Sequence, residues 1–192
     1  MKIGIVIGSI RHGRVSDRLA KWVANDINKI DGAEAKLIDL VDYPMPLFDE
    51  AVSPQYNPDR NPIKEVKIWL DAVSECDAIV LVTPEYNRSY SSALKNALDY
   101  LDFQLKHKPV MLVAHGSTGG AQAVAHLRGV LPGLGAITTP PAVMVVGRID
   151  QMIDDKGVAT EEVQANPYGP QATLAGAVEE LRWFTEALSQ AK

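Results

Sequence analysis

Apolar and polar positions follow two different rhythms along this chain. Residues 2–7 (KIGIVI) form a short, nearly continuous apolar run with Ile and Val on both faces, as expected of a strand buried on both sides. Over residues 16–29 the rhythm changes: Leu19, Val23, Ile27 and, just beyond, Ile30 recur every three or four positions, one stripe of a helix. The exchange then repeats. Strands are expected at 35–40, 78–83, 110–114 and 143–146, and helices at 63–74, 91–101, 119–131 and 172–190. Ser91 stands where a helix cap belongs, and Pro132 and Gly133 stand where the 119–131 helix should stop. Segment 43–62 is rich in Pro and Asn and reads as a long loop, a feature that is often functional in compact domains. Residues 148–170 are polar and read as a loop-like excursion or a subunit contact, with no role assigned to 147–170.

Five strand–helix units in alternation imply one α/β domain over residues 1–192, with a parallel sheet between two helical layers. For a five-stranded chain of this length the leading arrangement is a flavodoxin-like three-layer sandwich of strand order 2-1-3-4-5. Ligands of such sheets bind beyond the carboxyl ends of the strands. The loops after the first, third and fourth strands are therefore the places to look.

Composition narrows the function classes. Hydrophobic residues make up 46% of the 192 positions, enough for a full core. Nineteen basic residues against twenty-four acidic ones give a net charge of -5, which argues against a nucleic-acid partner. Cys76 is the lone cysteine, so an internal disulfide is excluded and a thiolate metal cluster is not expected. Beside an apolar run it reads as a small buried hydrophobe. The chain enters its first strand directly, without a signal-peptide pattern. Runs such as AIVLV fall far short of the ~20 residues a membrane helix needs. A cytoplasmic protein with no membrane insertion is expected.

The first loop (GSIRHGRVS) concentrates positive charge on an acidic chain. A helix start there offers unpaired N–H groups and the positive end of a dipole to an anion. Gly8 and Gly13 permit close approach, Ser9 and Ser16 supply hydroxyls, and Arg11 and Arg14 supply paired N–H donors. Neither the Gly-Lys-Ser/Thr of a Walker loop nor G-x-G-x-x-G is present, which removes the common ATP and dinucleotide fingerprints. The second loop begins PEYN. Pro84 fixes an extended turn, Glu85 brings a carboxylate, Tyr86 a flat face, and Asn87 tolerates left-handed backbone. That set suits a flat polar heterocycle. The third loop, HGSTGG, is a second glycine-rich strand-to-helix turn with amides open to a ligand. His115 is a candidate acid or base there, but no sequence neighbour pairs with it, and it reads as structural. His126 reads as an ordinary helix residue.

GSIRHGR, PLFDE, PEYN with SSALKNALDYL, and HGSTGG, in this order, resemble the NADPH-dependent FMN reductase family. This flavodoxin-like group includes quinone, chromate and azo reductases, and the resemblance spans about the first 130 residues. It implies FMN as cofactor and NADPH or NADH as co-substrate. By position it places Ser9, Arg11, Arg14, Val15 and Ser16 around the FMN phosphate. It places Pro84, Glu85, Tyr86 and Asn87 along the ribityl chain and ring, and Ser117, Thr118, Gly119 and Gly120 at the pyrimidine end. It further implies a homodimer or homotetramer. Family members often carry serine at the position of Arg14 and asparagine or glycine at that of Ser16. Whether Arg14 meets the flavin phosphate or the nicotinamide cofactor is therefore open.

The expected function is hydride transfer from NAD(P)H through FMN to a small-molecule acceptor: a quinone, an azo compound, a metal oxyanion or free flavin. No acid–base residue is assigned, because the cofactor carries the chemistry. Residues 46–48 and Tyr86 are candidates to wall the acceptor site or a dimer contact. Two other readings stand beside this one: a flavodoxin-type carrier of single electrons, and a non-catalytic flavin- or nucleotide-sensing module.

Overall fold

A computed structural model describes residues 1–191. In chain order its elements are β1 (Lys2–Ile7), α1 (Ser16–Ile27), β2 (Glu34–Asp39), α2 (Lys64–Ser74), β3 (Ala78–Pro84), α3 (Ser92–Asp99), β4 (Pro109–Gly116), α4 (Ala121–Val130), β5 (Ile137–Val146), α5 (Ile149–Met152), α6 (Glu161–Ala165) and α7 (Pro170–Gln190). The strands form one sheet of order β2-β1-β3-β4-β5 with every pairing parallel. This is the flavodoxin-like arrangement that the alternation of rhythms predicts.

The alternation of strand side chains builds two cores. Ile3, Ile5 and Ile7 of β1, Val80 and Val82 of β3, and Met111 and Val113 of β4 pack toward α1 and α7. Their neighbours Val6, Ile79, Leu81, Leu112 and Ala114 pack with Trp69, Leu94, Leu98 and Leu127 on the other face. A central parallel strand is covered on both sides, so it reads as continuous apolar sequence. Cys76 belongs to the second core at 2% exposure. Its thiol lies under Gly4, where an added Cβ would come within 2.8 Å of Sγ, and burial raises its pKa.

Element ends shift by a residue or two from the sequence pattern in several places, and three differences have a physical reason. The fifth strand starts at Ile137 rather than Val143 and runs through Pro140 and Pro141. It lies at the edge of the sheet, where a missing N–H is tolerated, and its register with β4 shifts between Val110 and Leu112. The 119–131 helix starts two residues later, and Pro132 opens a 3-10 turn, Leu131–Leu134, before Gly135 ends it at φ 73. Residues 148–170 are not simply loop. α5, an Ile153–Ala159 bridge and α6 occur there, anchored by Ile149, Ile153 and Val163 against the α1 face of the core.

The 43–62 segment contains one 3-10 turn, Pro54–Tyr56, and is fastened at both ends. Arg60, its side chain 7% exposed, donates to both Glu50 carboxylate oxygens at 2.8 Å and to the Tyr100 carbonyl at 2.8 Å. It also reaches Asp102 at 3.1 Å. Phe48 packs edge-on against Tyr100 with ring centroids 5.2 Å apart, and its N–H donates to Asn96 Oδ1 at 2.8 Å. Of the 46–48 stretch, Pro46 and Leu47 are exposed, Leu47 at 83%, and Phe48 is partly buried. No helix among the described residues is long and apolar enough to cross a membrane.

Candidate functional site

Parallel register brings the first, third and fourth loops together. Ile7 stands beside Asp39 and Val82, and Pro84 stands beside His115. β1 leaves the sheet in close contact with β3: Gly8 N–H donates to the Val82 carbonyl at 2.8 Å. A Cβ at Gly8 would lie 2.9 Å from that same oxygen, so a side chain there would push the loop off β3. Gly13 turns the loop at φ 70, and Arg14 N–H donates back to the Arg11 carbonyl.

α1 then begins without a side-chain cap, because Val15 occupies the N-cap position. The first amides of a helix have no partner within it. Two hydroxyls stand at this helix start, on Ser9 and Ser16, both 1% exposed. Ser9 Oγ shares a hydrogen bond with Tyr86 Oη at 3.0 Å, and Ser16 Oγ shares one with His115 Nε2 at 2.8 Å. Arg11 lies over the Tyr86 ring, 5.5 Å from its centroid, and its residue is exposed.

Arg14 is arranged differently. Its guanidinium grips Asp39 at the end of β2 through both nitrogens, with Nη1 to Oδ1 at 2.7 Å and Nη2 to Oδ2. Nη1 also donates to the Ser9 carbonyl at 2.6 Å. The two-pronged pair satisfies the fork geometry of the guanidinium. Arg14 thus braces the loop from behind. Asp39, unremarkable in the sequence, is what holds it there.

The β3–α3 loop makes a tight turn. Tyr86 and Ser89 exchange backbone hydrogen bonds at 2.8 and 3.0 Å, with Asn87 at φ 48 and Arg88 at φ 69. Two successive left-handed residues define the mirror-image turn that asparagine accommodates well. Ser91 follows as the cap of α3, accepting from Leu94 N–H at 3.1 Å and donating to the Gly8 carbonyl. One hydroxyl thereby ties the second loop to the first.

The β4–α4 turn carries Ser117 and Thr118 exposed, then Gly119 and Gly120 at φ 73 and 83. A Cβ on Gly120 would come within 2.4 Å of the Ala114 Cβ. The start of α4 is occupied by Glu85. Its carboxylate accepts from Gln122 N–H at 2.9 Å, Ala123 N–H at 3.4 Å and the Thr118 hydroxyl at 3.1 Å. Glu85, expected from the sequence along the ligand, thus turns its side chain to the helix beside it, and its N–H donates to the His115 carbonyl at 2.8 Å.

His115 sits between the turns. Burial first, and then the nearby positive charge of Arg11, push its pKa down to about 4, so the ring is neutral at physiological pH. Its link to Ser16 spans 99 positions of sequence, so no local pattern announces it. His126 also has a partner, Ser89 Oγ at 3.0 Å from Nδ1.

The donor set at α1 is what an external anion requires: helix-start amides, two hydroxyls and one exposed guanidinium. Beside it lie an aromatic face and a glycine-rich turn, the surroundings of a flat ring.

Comparison with known proteins shows the family. Residues 1–151 match the family model for NADPH-dependent FMN reductase. An NAD(P)H-dependent FMN reductase of Schizosaccharomyces pombe is 32% identical over 80% of each chain. An NADPH azoreductase of Bacillus sp. (strain OY1-2) is 35% identical over 77% of this chain and 78% of its own. Among solved structures, a flavoenzyme NAD(P)H:(acceptor) oxidoreductase from Paracoccus denitrificans superposes with a TM-score of 0.72 at 23% identity, covering 98% of this chain and 97% of that one; it shares the fold. The chain belongs to the NADPH-dependent FMN reductase family, a family of enzymes that work with FMN and NAD(P)H.

Proposed function

We propose that this enzyme passes reducing equivalents from NADPH or NADH through FMN to a small oxidised acceptor of the quinone, azo, metal-oxyanion or flavin type. The observation that carries the proposal is the open start of α1. Uncapped amides, Ser9, Ser16 and Arg11 form an anion cradle beside Tyr86 and the β4–α4 turn. Bound FMN supplies the two-electron relay between NAD(P)H and the acceptor.

The chain's own contribution is binding and electrostatics. Ser9, Arg11, Val15 and Ser16 hold the phosphate with hydroxyl, guanidinium and amide donors. Arg14, engaged by Asp39 and the Ser9 carbonyl, keeps the cradle in shape. Pro84, Glu85, Tyr86 and Asn87 line the ribityl chain and ring. Backbone groups of Ser117, Thr118, Gly119 and Gly120 would meet the pyrimidine end of the ring, where fixed dipoles would favour negative charge. The azo member of the acceptor class draws support from the Bacillus relative, whose name is NADPH azoreductase. Exposed apolar side chains around the first two strand ends, Ile10, Val41 and Leu47, support assembly as a homodimer or homotetramer.

Steady-state oxidation of NADPH and NADH tests the reading. With a quinone or an azo dye, the purified protein plus FMN is expected to turn over well above the rate with free FMN. A rate no higher than that of free FMN overturns it.

A further inference from the structure

His115 lies outside the residues assigned to FMN, yet it is bonded to one of them. Ser16 is the first residue of α1 and is 1% exposed, and its Oγ lies 2.8 Å from His115 Nε2. A serine hydroxyl has one proton, and a neutral imidazole has one N–H and one bare nitrogen. Two arrangements are possible. Ser16 donates to a bare Nε2, in which case its proton is consumed by the ring and the serine turns only lone pairs to the helix start. Alternatively, Nε2–H donates to Ser16 Oγ, and the serine proton is free for another acceptor.

An anion at the helix start decides between them. Lone pairs facing a phosphate repel it, while a free hydroxyl proton binds it. Burial and the Arg11 charge keep the imidazole neutral at physiological pH, so a single proton on the ring selects the arrangement. β4 is a central strand, and the pairing of His115 with Pro84 on one side and Val145 on the other fixes its backbone.

We propose that His115 is a positioning residue for the flavin phosphate, its Nε2–H holding Ser16 Oγ so that the serine proton is presented to a phosphate oxygen. This inference rests on the placement of the phosphate at Ser16 proposed above. It predicts a selectivity: His115 contributes to affinity for FMN and not for riboflavin, which has the same ring and ribityl chain but no phosphate.

The test measures dissociation constants of FMN and riboflavin for wild type, Ser16→Ala, Arg11→Ala, His115→Phe, His115→Gln and the Ser16→Ala/His115→Phe double variant. Ser16→Ala and His115→Phe are each expected to lower the FMN-over-riboflavin preference about ten-fold, the worth of one hydrogen bond to a charged group. Glutamine can donate from nearly the position of Nε2, and His115→Gln is expected to return to within about three-fold of wild type. The double variant should be no worse than Ser16→Ala alone, because the two residues act as one unit. If His115→Phe does not fold, His115→Met takes its place as the non-donating variant.

A parallel loss of riboflavin and FMN affinity in the non-donating variant would mean that His115 only packs, and overturns the inference. So does His115→Gln behaving like the non-donating variant. If Ser16→Ala leaves the preference unchanged while Arg11→Ala lowers it, Ser16 is not a phosphate ligand and the inference falls alone. If neither lowers it, the phosphate lies elsewhere, and the reading of the cradle fails as well.

Discussion

Helices α1 and α4 both begin at the carboxyl end of a parallel strand, and both start with N–H groups that need an acceptor. At α4 the chain supplies its own: Glu85 reaches across from the neighbouring loop and takes two amides and a hydroxyl. At α1 it supplies none from the N-cap position and instead gathers further donors there, two buried hydroxyls and Arg11. One helix start is capped by a carboxylate from the neighbouring loop; the other has no side-chain cap, with Asp17 in its first turn. In sequence the two look alike. The difference is in what each helix start has left to offer: α4 spends its first amides on Glu85, whereas α1 keeps its own for an external anion, which under the proposed function suits α1 to the phosphate and the β4–α4 turn to the ring.

Four measurements would break or sharpen that contrast. The largest effect is expected at the capped turn itself. Gly120→Ala puts a Cβ within 2.4 Å of Ala114 on a residue at φ 83, which should destabilise the fold by about 3 kcal/mol or more in urea denaturation. A near-neutral result would mean the turn can relax, and its shape is less fixed than described.

Acid stability comes next, through the histidine between the turns. His115 has a folded pKa of about 4 against an ordinary value of 6.5. The unfolded chain therefore binds the extra proton across that window. Stability is fully present above pH 6.5 and should fall as pH drops toward 4, by up to about 3 kcal/mol. His115→Gln should flatten the wild-type profile by most of that, about 2 kcal/mol, when unfolding free energies from urea curves at pH 7 and pH 4.5 are compared. Parallel profiles for the two proteins would remove the account of a desolvated neutral ring.

The remaining two form a reciprocal pair. Arg11→Ala at the uncapped turn should weaken FMN binding by about 1.5–3 kcal/mol, the value of hydrogen bonds to a charged group, with riboflavin affinity and unfolding midpoint nearly unchanged. Glu85→Ala at the capped turn should lower stability by about 1 kcal/mol as a lost cap and leave the FMN-over-riboflavin preference alone. If Glu85→Ala changes that preference as much as Arg11→Ala does, the two turns are not distinct in this way.

Much of the scaffold was readable from periodicity, because a doubly covered strand and an amphipathic helix impose different spacings on the same apolar residues. Ser91 was legible as a cap from its place ahead of Leu94 and Leu98. Asn87 was legible as a left-handed residue from its chemistry alone. The partners were not legible. Asp39, Glu85 and His115 act on residues that register places beside them, and register is a property of the assembled sheet. The early start of β5 was hidden by Pro140 and Pro141, which are harmless only because that strand is at the edge. α5 and α6 have four and five residues, too short to hold together without tertiary contacts. One signal for α6 did exist: Thr160 accepts from Val163 N–H and is followed by Glu161 and Glu162, the composition of a helix start.

The Arg60 clamp gives the 43–62 segment a mechanical character. Its guanidinium is nearly sealed between the partly exposed carboxylates of Glu50 and Asp102, and withdrawing a partner from it leaves a largely buried charge uncompensated. A hinged cover must open at every turnover and cannot carry such a latch. The segment is therefore held as a fixed wall rather than as a hinged cover. Trypsin should find Arg60 a poor cleavage point for the same reason: the bond is present in a loop, but its recognition group is locked inside.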